Sequence, residues 1–343
     1  MEMQSKVCQR ACVKPLLAWY ERSKRDLPWR RQSHDPYAVW VSEIMLQQTQ
    51  VDRVCDYFLR FMRRFPTVLD LSRAQEKTVL KHWEGLGYYR RARQLHAAAK
   101  EIVRNHDGKI PQTVESLCAL PGIGRYTAGA IASIAFDIRA PIVEANSRRV
   151  IARLFGYDAP LDGRGGDKPI WDLAEQLVPV KKPGHFNQAL MDLGATICTP
   201  ERPICSKCPL KIKCTAFQTN RTDVIPLKPK PRLQKQLSET AIIFRQRNNV
   251  LVEQRGPGEW WDGLWDFPRG PRHALKRGRQ VGVVSYTVTH HRVECAIREI
   301  FVSRPKKPTG RQRWVEIASL SKMAMTAPGR RIAAGLRKRR SQS

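Results

Sequence analysis

The sequence predicts an all-α region followed by a second, smaller domain that contains β-strands, on three observations. From residue 13 to about 217 the apolar residues recur mostly at helical spacing. At DVIPLKPKP, Asp223 to Pro231, three prolines and two lysines within nine residues make a stiff, extended linker. Beyond it, apolar and polar residues alternate with the period of a strand. A length of 343 residues is more than one compact core usually takes, in agreement with two domains. The boundaries that follow are a first domain over 1–220, a linker over 221–237, and a second domain over 238–343 with a basic tail.

The clearest helix follows Asp35-Pro36, an N-cap with proline at the first helical position, where Tyr37, Trp40, Val41, Ile44 and Met45 form one stripe. Glu43 falls beside that stripe. Further helices are expected at Glu76 to Trp83, Arg90 to Arg104, Tyr126 to Ala135, Arg148 to Phe155, Pro169 to Val178 and Asn187 to Leu193, about ten in all. In the second domain, ETAIIFRQRNNVLVEQR reads as two strands joined at Asn248-Asn249. Arg292 to Phe301 sets Val293, Cys295 and Ile297 against charged neighbours. The stretch Arg330 to Arg340 is a basic helix or a disordered tail.

Lysine and arginine number 61 against 31 acidic residues, a formal charge of +30. Such a chain repels itself unless a polyanion is its partner, and nucleic acid is the natural one. The excess is shared: 27 basic and 9 acidic residues lie in 221–343, and 34 and 22 in 1–220. Both halves are therefore expected to face phosphate. No apolar run approaches a membrane span, and the N-terminus lacks the apolar stretch of a signal peptide, so a cytosolic, nucleoid-associated protein is expected. The lack of a transit-like extension points to a bacterial source.

Four of the nine cysteines crowd into CTPERPICSKCPLKIKC, as Cys198, Cys205, Cys208 and Cys214, a C-x6-C-x2-C-x5-C spacing. In a large basic chain this reads as metal ligation, not disulfides. Four thiolates in one loop suit a [4Fe-4S] cluster. Zinc is the alternative, although four-cysteine zinc sites usually come as two C-x-x-C pairs held apart by a longer insert. Arg202, Lys207, Lys211 and Lys213 lie between the ligands, so the cluster would brace cations toward a phosphate backbone and be structural. A second motif, LPGIGRYTA at 120–128, places Gly122 and Gly124 where a tight turn aims backbone amides outward at a helix start, a seat for a phosphate oxygen. By itself it is also compatible with a plain helix-helix turn. Before a helix, and about seventy residues ahead of the cysteines, it reads as a helix-hairpin-helix.

Together these residues resemble the helix-hairpin-helix DNA glycosylases with an iron-sulfur loop, a superfamily that includes endonuclease III and the MutY-type adenine glycosylases. Endonuclease III-like enzymes carry a Schiff-base lysine at the position held here by Tyr126. No lysine occurs between Pro111 and Asp167, so the resemblance implies a monofunctional enzyme without strand cleavage. LPW at 27–29, SEIMLQQTQ at 42–50, GLGYYRRARQLH at 85–96 and FNQALMDLGATICTP at 186–200 look specifically like the MutY type.

The MutY resemblance implies roles residue by residue. Glu43 would protonate adenine, which leaves poorly as an anion and better once N7 carries a proton. An apolar pocket including Trp40, Ile44 and Met45 is expected to keep it neutral until then. Gln48 would fill the hole left by the extruded base, Tyr88 would enter the stack from the other side, and Leu46, Thr49 and Leu86 would line the same contact. Trp29, Gln47, Gln188, Gly122 and Gly124 complete the expected substrate and DNA contacts. Where the family usually reads L-D-G-N, this chain reads PIVEANS: Glu144 replaces the aspartate that stabilises the sugar cation, and Ala145 the glycine. Glu144 either serves in its place or only complements a helix N-terminus. Asn146 and Tyr126 would help guide the attacking water.

The second domain resembles the MutT-like, Nudix-fold domain with which MutY enzymes read 8-oxoguanine, through VLVEQR at 250–255, GLWDFP at 263–268 and YTVTHHRVE at 286–294. No R-E-x-x-E-E helix exists, so it is expected to bind, not hydrolyse. The family's F-S-H loop is here Val288-Thr289-His290, with Thr289 and His290 as the candidate contacts. About a dozen residues from Pro268 to Val281 make the domain short, with weaker discrimination expected. The implied partner is double-stranded DNA with an A:8-oxoguanine or A:G pair, met by a monomer, with an abasic-site endonuclease and a replication clamp as further partners. A catalytically weak lesion-binding protein and an endonuclease III-like glycosylase are the competing readings.

Overall fold

The computed structural model describes residues 2–31, 34–159, 168–227, 234–271, 278–304 and 307–340. Part of the expected linker, residues 228–233, and most of the short stretch after Pro268, residues 272–277, lie outside the described residues. The chain divides into two compact units. One comprises residues 1–75 and 90–230; the other comprises 76–89 and 231–343. No helix among the described residues is long and apolar enough to cross a membrane.

The first unit is helical: α1 (Glu2–Ser23), α2 (Pro36–Leu46), α3 (Val51–Arg64) and α4 (Val68–Arg73) precede α5 (Glu76–Trp83), which groups with the second unit. Then follow α6 (Arg90–Asn105), α7 (Val114–Cys118), α8 (Arg125–Phe136), α9 (Ala145–Phe155), α10 (Lys168–Leu177), α11 (Pro183–Thr196) and the short α12 (Thr215–Gln218). Local chemistry sets many ends. Asp35 accepts the Tyr37 amide at 2.9 Å to start α2, with Pro36 at the first position, where a missing N–H costs nothing. Thr67 and Asp70 form a reciprocal capping box on α4. Gly156, at φ 67, ends α9 in the left-handed conformation.

Helix α2 is the axis of this unit. Tyr37 through Met45 are all buried, on every face and not on one stripe. Trp40, Val41 and Met45 are fully shut off, each contributing roughly 1.5–3 kcal/mol of burial. A helix so enclosed is a rigid platform, and Glu43 is fixed upon it.

The second unit holds a mixed sheet of β1 (Lys235–Gln246), β2 (Asn249–Gln254), β3 (Trp265–Asp266), β4 (Arg269–Pro271), β5 (Arg279–Val288), β6 (His291–Phe301) and β7 (Gln312–Glu316). The order is β3-β2-β1-β6-β5, with β4 pairing β1 and β7 pairing β2. β1 and β6 run parallel from Lys235 opposite His291 to Arg245 opposite Phe301. The β1–β2 hairpin closes at Arg247-Asn248 and not at Asn248-Asn249, because Asn249 already pairs with Gln246 and Arg247 takes φ 50. α13 (Ala327–Arg340) is helical, and its Ile332, Ala333 and Leu336 join the sheet's core with Ile243, Val252, Val293 and Phe267.

Candidate active site

Glu43 sits two-thirds of the way along α2, only 4% exposed. Its Oε2 accepts the Tyr126 hydroxyl at 2.6 Å. Burial pushes the Glu43 carboxyl up to about 7, the Tyr126 hydrogen bond opposes this, the charge of Glu144 adds to it and that of Arg30 subtracts. Burial raises the Tyr126 phenol well above its ordinary value, so it remains a donor. A carboxyl poised near neutrality in an enclosed site is suited to giving a proton to a weakly basic leaving group.

Glu43 opens into a cavity lined by Trp29, Leu46, Gln188, Val39, Met191 and Arg30, among others. Four of the sequence-predicted residues, Trp29, Glu43, Leu46 and Gln188, thus meet in one place. Trp29 is buried edge-on against Phe58, and Gln188 accepts the Tyr20 hydroxyl at 3.2 Å. Its walls are apolar apart from Glu43, Ser42, Gln188 and the arginines 25 and 30. Sequence reasoning missed both arginines, as well as Asp192, 0% exposed, which binds them. Arg30 donates to the two Asp192 oxygens at 2.7 and 2.9 Å, and Arg25 Nε donates at 2.7 Å.

At the end of α2 the chain turns outward through Gln47, whose Nε2 donates to Thr127 Oγ1 at 3.3 Å, and Gln48, exposed at φ 55. A non-glycine residue at positive φ is uncommon and needs support. The buried Arg91 supplies it. Its guanidinium donates to the carbonyls of Ile44 at 2.8 Å, Met45 at 3.0 Å and Gln47, and to Thr49 Oγ1 at 3.2 Å. One side chain thereby caps the helix and fixes the loop. Leu86 and Tyr88 lie on the 76–89 segment of the other unit, where Leu86 is buried and Tyr88 is 56% exposed at φ 48.

Glu144 is the N-cap of α9. Its two oxygens accept the Asn146 and Ser147 amides, both at 2.8 Å, while Ser147 Oγ accepts the Glu144 amide. The extra methylene lets the side chain reach round to its own helix start. Asn146 Oδ1 accepts Arg149 Nη2 at 3.0 Å, and Gly194 of α11 passes so close that a Cβ there would lie 2.7 Å from that of Asn146. In the hairpin between α7 and α8, Gly122 has φ 77 and Gly124 caps α8 from an extended conformation. Both are exposed, which leaves the first amides of α8 facing outward.

Cys198, Cys205, Cys208 and Cys214 border one cavity with Arg153, Ile197, Pro203 and Phe217. Four cysteines bordering one cavity are the donor set that a [4Fe-4S] core would take. Burial pushes Cys208 up to about 12 and raises Cys205 and Cys214, so free thiolates are disfavoured there without a compensating cation. Arginines of α9 fasten the loop: Arg149 donates to the Cys198 carbonyl at 2.7 Å, and Arg153 to those of Thr199 at 2.7 Å and Ile225 at 2.8 Å. In the second unit, Thr289, at φ 53, and His290 are the exposed turn of the β5–β6 hairpin, beside His291, whose ring is 5.1 Å from Trp260.

Residues 41–164 match the family described as HhH-GPD superfamily base excision DNA repair protein, and residues 239–335 match a NUDIX domain. An adenine DNA glycosylase of Buchnera aphidicola from Schizaphis graminum is 37% identical over 254 residues, which cover 74% of this chain and 73% of that one. The chain belongs to the adenine DNA glycosylase family. The family member of Rattus norvegicus is 44% identical over 268 residues, 74% of this chain and 50% of its own length. The chain thus spans about half the length of the mammalian adenine DNA glycosylases it matches. Among solved structures, a thermostable thymine-DNA glycosylase is similar with TM-score 0.57 and 32% identity, covering 62% of this chain and 97% of the other. A member of the adenine DNA glycosylase family therefore shares its helical fold with a glycosylase named for another base.

Proposed function

We propose that the chain is a monofunctional adenine DNA glycosylase that hydrolyses the N-glycosidic bond of adenine opposite 8-oxoguanine or guanine in double-stranded DNA and leaves an abasic site. The observation that carries the reading is the enclosed Glu43 carboxyl, pushed up to about 7 in the wall of a largely apolar cavity and hydrogen-bonded to Tyr126. Adenine extruded into the cavity meets that carboxyl as its proton source. As the bond to the sugar breaks, positive charge develops, and the Glu144 carboxylate is the anion for it. Glu43, deprotonated by then, with Asn146 and Tyr126, orients the water. Tyr126 stands where lyases of this superfamily carry an amine, so hydrolysis replaces imine formation.

Net charge of +30, the outward amides after Gly124 and the basic residues of the cysteine loop support a duplex partner. Gln48, exposed at positive φ, is the residue for the evacuated space in the stack, and Tyr88, exposed at positive φ in the other unit, is a further DNA contact. Cys198, Cys205, Cys208 and Cys214 would hold a [4Fe-4S] cluster, whose contribution is to brace the loop. Thr289 and His290 are the contacts for 8-oxoguanine.

Single-turnover release of adenine from a duplex with one A:8-oxoguanine pair tests the reading. Wild type is expected to release adenine, and Glu43→Gln and Glu144→Ala to bind without release. Borohydride trapping is expected to yield no covalent complex. Binding without release by wild type would make the chain a lesion-binding protein instead, and a trapped complex would make it a lyase.

A further inference from the structure

Arg30 poses a problem for an acid at Glu43. The guanidinium lines the same cavity, its side chain is only 12% exposed, and a cation beside a carboxyl in a poorly solvated site pulls the proton off. Asp192 meets that charge. It projects from α11, fully buried, and takes Arg30 in a two-pronged contact at 2.7 and 2.9 Å, the geometry in which a guanidinium and a carboxylate offset each other best. Arg25 binds it as well, at 2.6 Å between Nη2 and Oδ1, but is 29% exposed and therefore partly screened by water.

We propose that Asp192 is a positioning residue for the acid: by holding Arg30 and Arg25 it keeps their charge off Glu43, which then retains its proton until adenine accepts it. The inference rests on the glycosylase reading above. The other ionisable groups facing Glu43 are Tyr126 of α8, which donates to it, and Glu144 at the start of α9, which repels its charged form. Gln188, Met191 and Ile134 complete the wall without charge. Among the described residues Arg30 is thus the cation that bears on Glu43, and Asp192 is the carboxylate that holds it. A lone charge acts over a longer distance than a paired one, so losing the Asp192 carboxylate has its effect at Glu43 through Arg30.

The test is the pH dependence of single-turnover adenine release in wild type, Asp192→Asn and the double variant Asp192→Asn/Arg30→Gln, with thermal melting run beside it. Release needs protonated Glu43 and is expected to fail with rising pH around 7 in wild type. In Asp192→Asn that limb moves to lower pH by about 1 unit, and in the double variant it returns to the wild-type position or above. A folded Asp192→Asn whose rate falls evenly at every pH would overturn the proposal, as would a double variant with the limb still displaced. Should Asp192→Asn not fold, Arg30→Gln alone is expected to move the limb upward, and an unmoved limb counts against the proposal. The carboxylic C=O stretch of Glu43, assigned by its loss in Glu43→Gln, follows the same titration by infrared spectroscopy without any turnover. Wild type that releases no adenine therefore sinks the glycosylase reading, whereas an infrared titration unchanged by Asp192→Asn sinks only this inference.

Discussion

Glu43 in the helical unit and Asp266 in the sheet unit are both shut away from solvent, at 4% and 0% exposure, in opposite company. Asp266 receives Arg269 through both oxygens at 3.0 and 3.2 Å, Arg255 at 3.4 Å and the Phe267 amide at 2.8 Å. Glu43 receives one hydroxyl. Cations offset the cost of burying the Asp266 carboxylate, whereas at Glu43 a neutral donor leaves burial in control, and that group is pushed up to about 7. Depth alone therefore does not set the state of a buried carboxyl; among the described residues, the groups that bond to it do. Asp192, fully buried and gripped by two arginines, falls on the Asp266 side although it stands by the candidate site.

The largest expected effect that separates the two is on rate. Glu43→Gln is expected to slow adenine release by about 10³-fold in single turnover, since a general acid contributes roughly 10²–10⁴. Asp266→Asn is expected to leave release unchanged. It should instead destabilise the sheet unit by about 3 kcal/mol in urea unfolding, because the nearly buried Arg269 and the partly buried Arg255 lose their shared buried counter-charge. Glu43→Gln should do the reverse to stability. The native carboxyl holds its proton to about pH 7 and the unfolded one to about 4.5, so wild-type stability falls as pH rises through that window. The variant, uncharged throughout, is expected to gain on wild type by up to roughly 3 kcal/mol above pH 7 and by little below 4.5, read from melts across pH. The smallest effect is that of Tyr126→Phe. Its hydrogen bond favours the charged form, so removing it is expected to move the alkaline limb of release upward, with a rate loss of only about tenfold.

Much of this contrast was legible in the sequence on one side only. Asp35-Pro36 located the start of α2, the glycines of LPGIG located the hairpin, and Glu43 stood out as a carboxylate ahead of three large apolar residues and a run of amides. The expected stripe on α2 was too narrow, because a helix buried on all faces has no polar side to reveal its orientation. The arginines were the main loss. A chain with 61 basic residues invites every one to be assigned to DNA, and nothing local distinguishes Arg30, Arg91, Arg149 or Arg153, all largely buried and bonded inward. Their partners are as far away as the 162 positions from Arg30 to Asp192, a pairing that only the folded chain creates. The β1–β2 turn failed for a smaller reason: Arg247 adopted the left-handed conformation that asparagine more readily takes.

Arg91 has a consequence for time as well as shape. By tying Ile44, Met45, Gln47 and Thr49 together, it makes the form of the loop bearing Gln48 a property of the folded chain itself. A loop that is ordered only on arrival adds about 0.5–1.5 kcal/mol for each side chain it must immobilise, and adds it again at every base pair tried. On the reading proposed above, in which Gln48 enters the stack, ordering of this loop is then no part of the cost of each base pair tried.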